Sequence, residues 1–342
     1  MRKLVLSMLV IGHVLYGYGQ TDSLAAMLKE GVRLNDQGDY TGAIARYDAI
    51  LAVNDRYFGA YVEKSTSFCA AGRYQECAEL SRKLIKEFPE EADLKHVYVS
   101  YGTAMDGLGK PDEAIKIYKE GMRKFPNFYL LPFNKGTTEV MHQQNENAVK
   151  DFEASITFNR GHASSHLYMA YAVYPTNKMA AAMSLCGFLF LEPKGKRAEK
   201  HLPMLLGILG ANVQKKDDKT INISLSPSVV GKEKGEDDFR NMELMMRLAT
   251  AAGMTEKAKD TTAVGQLKSK LEILAEANPE KKGFFSLTYV VLFIGLRDAG
   301  LLETAAHVLY QSANDASNQQ WLEDHPGKVK DFFQYISAWT KQ

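Results

Sequence analysis

The chain has 342 residues, 45% hydrophobic and 24% charged, the balance of a soluble globular protein long enough for about two domains. Basic and acidic residues number 42 and 41, so no net field draws it to nucleic acid or an anionic membrane. Its three cysteines, Cys69, Cys77 and Cys186, are too few, and odd in number, for a disulfide framework.

Residues 1–19 open with Arg2 and Lys3, run apolar from Leu4 to Leu15, and close on Gly17 and Gly19 around Tyr18. That order predicts a secretory signal peptide cut after Gly19. The alternatives are an uncleaved anchor, for which the apolar run is short, and a buried first helix. No cysteine adjoins the cut, so a lipid anchor has no support. Losing Arg2 and Lys3 turns the formal charge from +1 to −1. In an oxidising compartment Cys69 and Cys77 can pair across a hairpin, but the simpler expectation for all three thiols is small, buried apolar residues.

From Leu24 a pattern recurs with a period of about 34 residues. The stretch GLGKPDEAIKIYKEGMRKFP, residues 107–126, shows it most fully. Gly109 suits a turn with positive φ, and Pro111 suits the first turn of a helix, beside Asp112 and Glu113. Pro126 stops that helix. Ala114 and Tyr118 share its inner face. Upstream, Gly38, Ala43 and Tyr47 stand in the same places, then Gly72 and Cys77. Downstream come Gly136, Ala148 and Phe152, then Ala170, Ala182 and a close at Pro193. Each unit reads as two antiparallel amphipathic helices, A and B. A small residue on helix A, such as Gly31 or Gly102, faces a small residue on helix B, and the aromatic ring four residues on fills the wider gap.

On these residues the chain resembles the tetratricopeptide repeat family over residues 24–196. The resemblance implies an all-α fold, a right-handed α-solenoid of five repeats: 24–57, 58–91, 95–128, 129–162 and 163–196. The fourth and fifth depart from the pattern; the fourth lacks the turn glycine and carries Arg160 where proline is usual. It further implies a concave face, lined by helices A, that binds a protein or peptide segment. The register places Leu28, Val62, Val99, Phe133 and Leu167 at one position of that face, and Thr66, Thr103, Thr137 and Tyr171 one turn later. The Lys/Asn set with which some relatives clamp a C-terminal carboxylate is absent. Packing between neighbouring repeats is the competing role for the apolar members.

Residues 197–236 read as a capping helix centred on Met204–Leu209, then a surface connector in which Ile221, Ile223 and Leu225 alternate as in a short strand. Residues 237–342 read as a C-terminal helical domain. Its segment GFFSLTYVVLFIGL is a buried helix, too short for a bilayer. Gly300, Ala305 and Leu309 repeat the spacing of Gly109, Ala114 and Tyr118, which makes a degenerate hairpin there. Phe332, Tyr335, Ile336 and Trp339 form a helical stripe, docked in the ordinary case and a partner surface in the sharper one.

No catalytic, cofactor-binding or metal site is expected. His162 and His166 lie four apart but lack the glutamate of a zinc protease. The acidic group Glu236, Asp237 and Asp238 reads as a helix start on the surface. The expected function is an exported, non-enzymatic scaffold that binds a protein partner, with no nucleic acid and no transmembrane span in the mature chain. The alternative is a ligand-binding or enzymatic C-terminal module on a repeat adaptor. The exported array, its Leu-Glu-Pro close and the helical tail look like repeat proteins of Gram-negative envelopes. They give a periplasmic, outer-membrane or extracellular location as the expectation.

Overall fold

The computed structural model describes residues 23–210, 213–216, 220–224, 237, 239–255, 260–276 and 283–342. The predicted signal peptide and Leu225 lie outside them. The fold is all-α, built from helices in successive pairs, and it divides into two compact units, up to Thr138 and from Glu139.

In the first unit, residues 23–36 form α1. They are followed by α2 (Tyr40–Val53), α3 (Phe58–Ala70), α4 (Tyr74–Glu87), α5 (Leu94–Gly107) and α6 (Pro111–Lys124). The helices pair as hairpins α1/α2, α3/α4 and α5/α6. Their turns share one chemistry. Gly109 has φ 74°, which leaves the Lys110 N–H to donate to the Met105 carbonyl and the Gly109 N–H to that of Asp106, both at 2.9 Å. The last carbonyls of α5 are thereby satisfied. Gly38 and Gly72 adopt the same left-handed conformation.

The predicted close approach is present. A Cβ added to Gly31 would sit 2.4 Å from Cε1 of Tyr47, and one added to Gly102 would sit 2.3 Å from Cε1 of Tyr118. Helix A therefore lies with bare backbone against a ring of helix B. Ala43, Cys77 and Ala114 beside these contacts are fully buried. Cys77 departs from the simpler expectation: it is joined to Cys69 by a disulfide with Cα atoms 5.6 Å apart, within normal bridging distance. Their eight-residue separation brackets the Gly72 turn, which brings α3 and α4 into register. Cys186 is free and buried.

The second unit begins inside α7 (Leu130–Met141). It continues through α8 (Asn145–Phe158), α9 (Ala163–Val173), α10 (Lys178–Leu191) and α11 (Lys196–Gly210). The turn before α8 lacks glycine, as the sequence showed, yet keeps the same geometry. Gln143 takes φ 61° and the Gln144 N–H donates to the Glu139 carbonyl at 2.8 Å. Every residue of α10 from Met179 to Phe190 is buried, and a helix apolar all round belongs in an interior. That is why no compact boundary falls at residue 196, where the repeat register ends: α10 is the centre of the second unit, and α11 packs on it.

A two-stranded ribbon follows, β1 (Val213–Lys215) antiparallel to β2 (Ile221–Ile223), with Val213 opposite Ile223. The isoleucine alternation anticipated β2; β1, with one apolar residue in Val213–Lys215, shows no alternation. Then come α12 (Arg240–Gly253) and α13 (Ala263–Ala275). A π-helical turn (Ser286–Val290) leads into α14 (Val291–Asp298), followed by α15 (Leu302–Leu309), α16 (Ala316–Asp324) and α17 (Pro326–Trp339). The α14/α15 hairpin repeats the turn chemistry of the first unit, with Gly300 at φ 68° and buried Ala305 and Leu309.

In this region the ordinary reading of the α17 stripe holds and its partner-surface alternative falls, while the reading of Asp237 is corrected. The stripe on α17 is docked, with Phe332, Ile336 and Trp339 buried, so it offers no partner surface. Of the acidic group, Glu236 and Asp238 lie outside the described residues, and Asp237 does not start its own helix. Its carboxylate accepts from the N–H groups of Phe285 and Ser286 at 3.0 Å and from the Ser286 hydroxyl at 2.7 Å, capping the π-helical turn. The reason is electrostatic: free N–H groups at a helix start attract a carboxylate from anywhere in the chain.

Left-handed backbone costs an L-residue about 1–2 kcal/mol relative to glycine. Gln143→Gly should therefore raise the stability of the second unit by up to about 1 kcal/mol, measured as a higher urea midpoint with unchanged slope. A lower midpoint would mean the glutamine side chain contributes more than its backbone strain costs.

Candidate functional site

In the first unit α3 and α5 lie side by side, so residues at equivalent places on them face the same way. The face they form is held together by hydrogen bonds that repeat. The Ser67 hydroxyl donates to Asn35 Oδ1 at 2.7 Å, and the Thr138 hydroxyl to Asp106 Oδ2 at 3.0 Å. Both pairs are separated by 32 residues, so each runs from the end of one helix A to the next helix A. A third contact, Thr66 Oγ1 to Ser100 Oγ at 3.5 Å, spans 34 residues. These latches were not anticipated, although a polar residue recurring near the repeat period on a mostly buried helix was the available signal.

The latches and the packing decide what the expected face can offer. Val62 is buried at 7% exposure, in a cluster with Leu94 and Val97. Leu28 packs on the cluster containing Tyr47 and Ala60, and Val99 on the one containing Phe68 and Tyr98. Packing between repeats thus engages Leu28, Val62 and Val99, and fully consumes Val62. Thr103 Oγ1 meets the Tyr118 hydroxyl at 3.2 Å, and the Thr137 hydroxyl returns to the Phe133 carbonyl at 2.9 Å. Thr66 is exposed, while Leu28, Val99, Thr103, Phe133 and Thr137 are half-buried. Leu167 and Tyr171 belong to the second unit. Leu167 is buried at 4% exposure, and the half-buried Tyr171 bonds through its hydroxyl to His201 Nε2.

The two tyrosines that fill the hairpins are not equivalent. Tyr118 has Thr103 as a partner, one residue beyond Gly102. One residue beyond Gly31 stands Val32, whose side chain has no polar group to give, and the buried Tyr47 hydroxyl finds no well-formed hydrogen bond among the described residues. The nearby Ser67 hydroxyl is committed to Asn35. Burial chiefly, then the negative charge of Glu63, push the Tyr47 hydroxyl up to about 12, against a smaller opposing pull from the nearby Ser67 hydroxyl. Glu63 is itself raised, first by burial and then by Asp36.

The histidines expected to be non-metallic have structural work. His166 is fully buried. Its Nε2 lies 2.8 Å from the Arg160 carbonyl, which can only accept, so Nε2 carries the proton. Nδ1 therefore accepts from the Tyr289 hydroxyl at 2.6 Å. Gly187 makes room, since a Cβ there would come within 2.9 Å of the Tyr289 ring and 3.0 Å of His166 Nδ1. Trp339 completes the knot: its Nε1–H donates to the Thr288 carbonyl, and its own carbonyl accepts from Arg160, each at 3.2 Å. Among the described residues no group of three or more His, Cys, Asp or Glu is placed to hold a metal, and no helix is long and apolar enough to cross a membrane.

No known family profile matches the sequence, and no curated protein is detectably similar. Solved structures give weak likenesses. A thermophilic tetratricopeptide protein from Thermus thermophilus, TTC0263, is 16% identical over 54% of this chain and 98% of its own, with TM-score 0.49. PilF of Pseudomonas aeruginosa is 19% identical over 54% of this chain and 82% of its own, with TM-score 0.45. YrrB, described as a tetratricopeptide protein with an unusual peptide-binding site, is 19% identical over 49% of this chain and 86% of its own, with TM-score 0.35. The description of the fold therefore rests on the hairpins themselves, with their shared glycine turns and ring-on-backbone contacts.

Two outcomes follow. Val32→Thr should give the Tyr47 hydroxyl the partner that Thr103 gives Tyr118, raising stability by about 0.5–1.5 kcal/mol; chemical denaturation reads it, and Thr103→Val should fall by at least as much. Burial chiefly holds His162 and His166 down to about 4, below the ordinary value of ~6.5. The unfolded chain takes up those protons first. The stability of the neutral rings is thus full above about pH 6.5 and is lost as pH falls toward 4. The denaturation midpoint should drop through that window more steeply in the natural chain than in His166→Gln.

Proposed function

We propose that the chain is an exported, non-enzymatic scaffold that binds a segment of another protein along the helix-A face of its first unit. The observation that supports this reading is the side-by-side packing of α3 and α5, on which exposed Thr66 and half-buried Val99 and Thr103, all uncharged, make a candidate strip. Such a strip suits an extended, largely uncharged segment that gains affinity from shape and apolar contact. Phe133 and Thr137, on the part of α7 in the same unit, extend the set at the same register. Val62 and Leu167 are left out, because buried residues cannot meet a partner.

Export draws its support from the charged, apolar and small-residue order of residues 1–19, and from the Cys69–Cys77 bridge, which persists best in an oxidising compartment. Among such compartments the bacterial envelope is the one we favour. A ligand-binding module in residues 237–342 is the second reading, favoured by a cavity beside Lys270.

Crosslinking and capture from the native envelope test the scaffold. Thr66→Glu should reduce capture of the principal partner about tenfold, the effect of removing roughly 1.4 kcal/mol of contact. The exposed helix-B variant Lys116→Glu should leave it unchanged, and both should retain the helical circular dichroism. Equal capture by the two variants would move the binding face elsewhere.

A further inference from the structure

Helices α12 and α13 pack against one another in the second unit, and a cavity of about 610 Å³ opens beside them, with Thr250, Gln266, Ser269 and Lys270 among its walls. That volume is in the range of small-molecule sites. Lys270 is unusual for its type. A lysine ordinarily carries its ammonium out to water, but Lys270 is only 8% exposed and has no hydrogen bond or ion pair among the described residues.

Its surroundings make the charge harder to hold. Arg247 is 1% exposed. Its Nη2 donates to Glu243 Oε1 at 2.8 Å and its Nη1 to the Ile208 carbonyl at 3.0 Å, while its Nε has no partner. Among the described residues, one buried carboxylate, Glu243, therefore stands beside two buried cations. Burial first, and the Arg247 charge second, push the Lys270 ammonium down. A buried cation without a counter-charge is costly, and an anion entering the cavity would remove that cost.

The remaining polar walls narrow the class of anion. The Ser269 hydroxyl donates to the Gly265 carbonyl at 3.2 Å, and that of Thr250 to the Met246 carbonyl at 2.9 Å, so their protons are already used. Lys268 is paired with Glu272 at 2.7 Å. Asp260, also on the wall, accepts from the N–H and hydroxyl of Thr262 at 2.8 and 2.7 Å. Among the described residues, the donor groups without a strong partner are the Lys270 ammonium and the Gln266 side-chain amide, whose one hydrogen bond there, to the Thr261 carbonyl, is long at 3.4 Å. Two donor groups that share one positive charge match a singly charged carboxylate; a phosphate, with more charge, would be left undersupplied.

We propose that this cavity binds a small organic carboxylate, held by Lys270 and oriented by Gln266. The site is independent of the helix-A face. The test is calorimetric titration and thermal unfolding of the full mature chain with benzoate, acetate and inorganic phosphate. Benzoate or acetate should bind and raise the melting temperature. Lys270→Met should weaken that binding by about tenfold or more while the unliganded variant melts no lower than the natural chain, since the unpaired charge is gone. Lys268→Met should bind within about twofold of the natural chain. If Lys270→Met does not fold, protection of Lys270 from reductive methylation by benzoate, mapped by mass spectrometry on the natural chain, replaces it. The proposal is overturned if neither carboxylate binds, if Lys270→Met binds as the natural chain does, if phosphate binds more tightly than either carboxylate, or if benzoate leaves Lys270 unprotected.

Discussion

A tyrosine ring laid flat against the bare backbone of a neighbouring helix is the constraint on which the first unit depends. Gly31 under Tyr47 and Gly102 under Tyr118 leave no room for even a methyl group. Once the helices come that close, much else is fixed. The positions beside the contact must be small, hence Ala43 and Ala114, and hence Cys77, whose sulfur is small enough to share that place with a bridge to α3. The tyrosine hydroxyl emerges beyond the glycine, and the next residue of helix A must satisfy it. Thr103 does and Val32 does not. The same packing thus determines which side chains of the exposed face are free for other contacts.

The two units reach stability by different routes. In the first, every important contact is local or one repeat away, and the latches Ser67–Asn35 and Thr138–Asp106 copy one another at the same separation. In the second, the repeat pattern survives in its turns, but α10 has become an interior helix. Around it the chain uses contacts that do not repeat: the Asp237 cap, the His166–Tyr289 pair, and Arg160 against Trp339. Burial, rather than pairing of charges, sets the titration of the groups in that core, which is why His166 stays neutral where an exposed imidazole would take a proton.

What was legible in the sequence follows from this division. Gly109, Pro111, Ala114, Tyr118 and Pro126 have their roles within one hairpin, so spacing alone identified turn, helix start, close approach and helix stop. The apolar row at Leu28, Val62 and Val99 was legible as a row, but spacing could not tell a packed position from an open one. Only the depth of Val62 against Leu94 and Val97 does. Asp237 looked like surface because its partners, Phe285 and Ser286, are almost fifty residues away. Lys270 was one of many lysines in the sequence; its burial beside Arg247 comes from the pairing of α12 with α13, which no local pattern records. Gln143 shows the converse, a turn retained after the glycine that announces it has gone.

The reach of the Arg160–Trp339 contact has a consequence for how the protein comes into being. The two residues are separated by 179 positions. At typical synthesis rates Arg160 waits roughly ten to forty seconds for its partner. The first unit, built from near neighbours, can close hairpin by hairpin as the chain emerges into the compartment where it folds. The second cannot: α9 and α11 cover part of α10 at once, but the sides that meet the π-helical turn, α15 and Phe332 of α17 stay open until those segments follow. For that interval the chain is a finished array joined to an unfinished one, and any holding factor it meets during translation would find its client surface in α10.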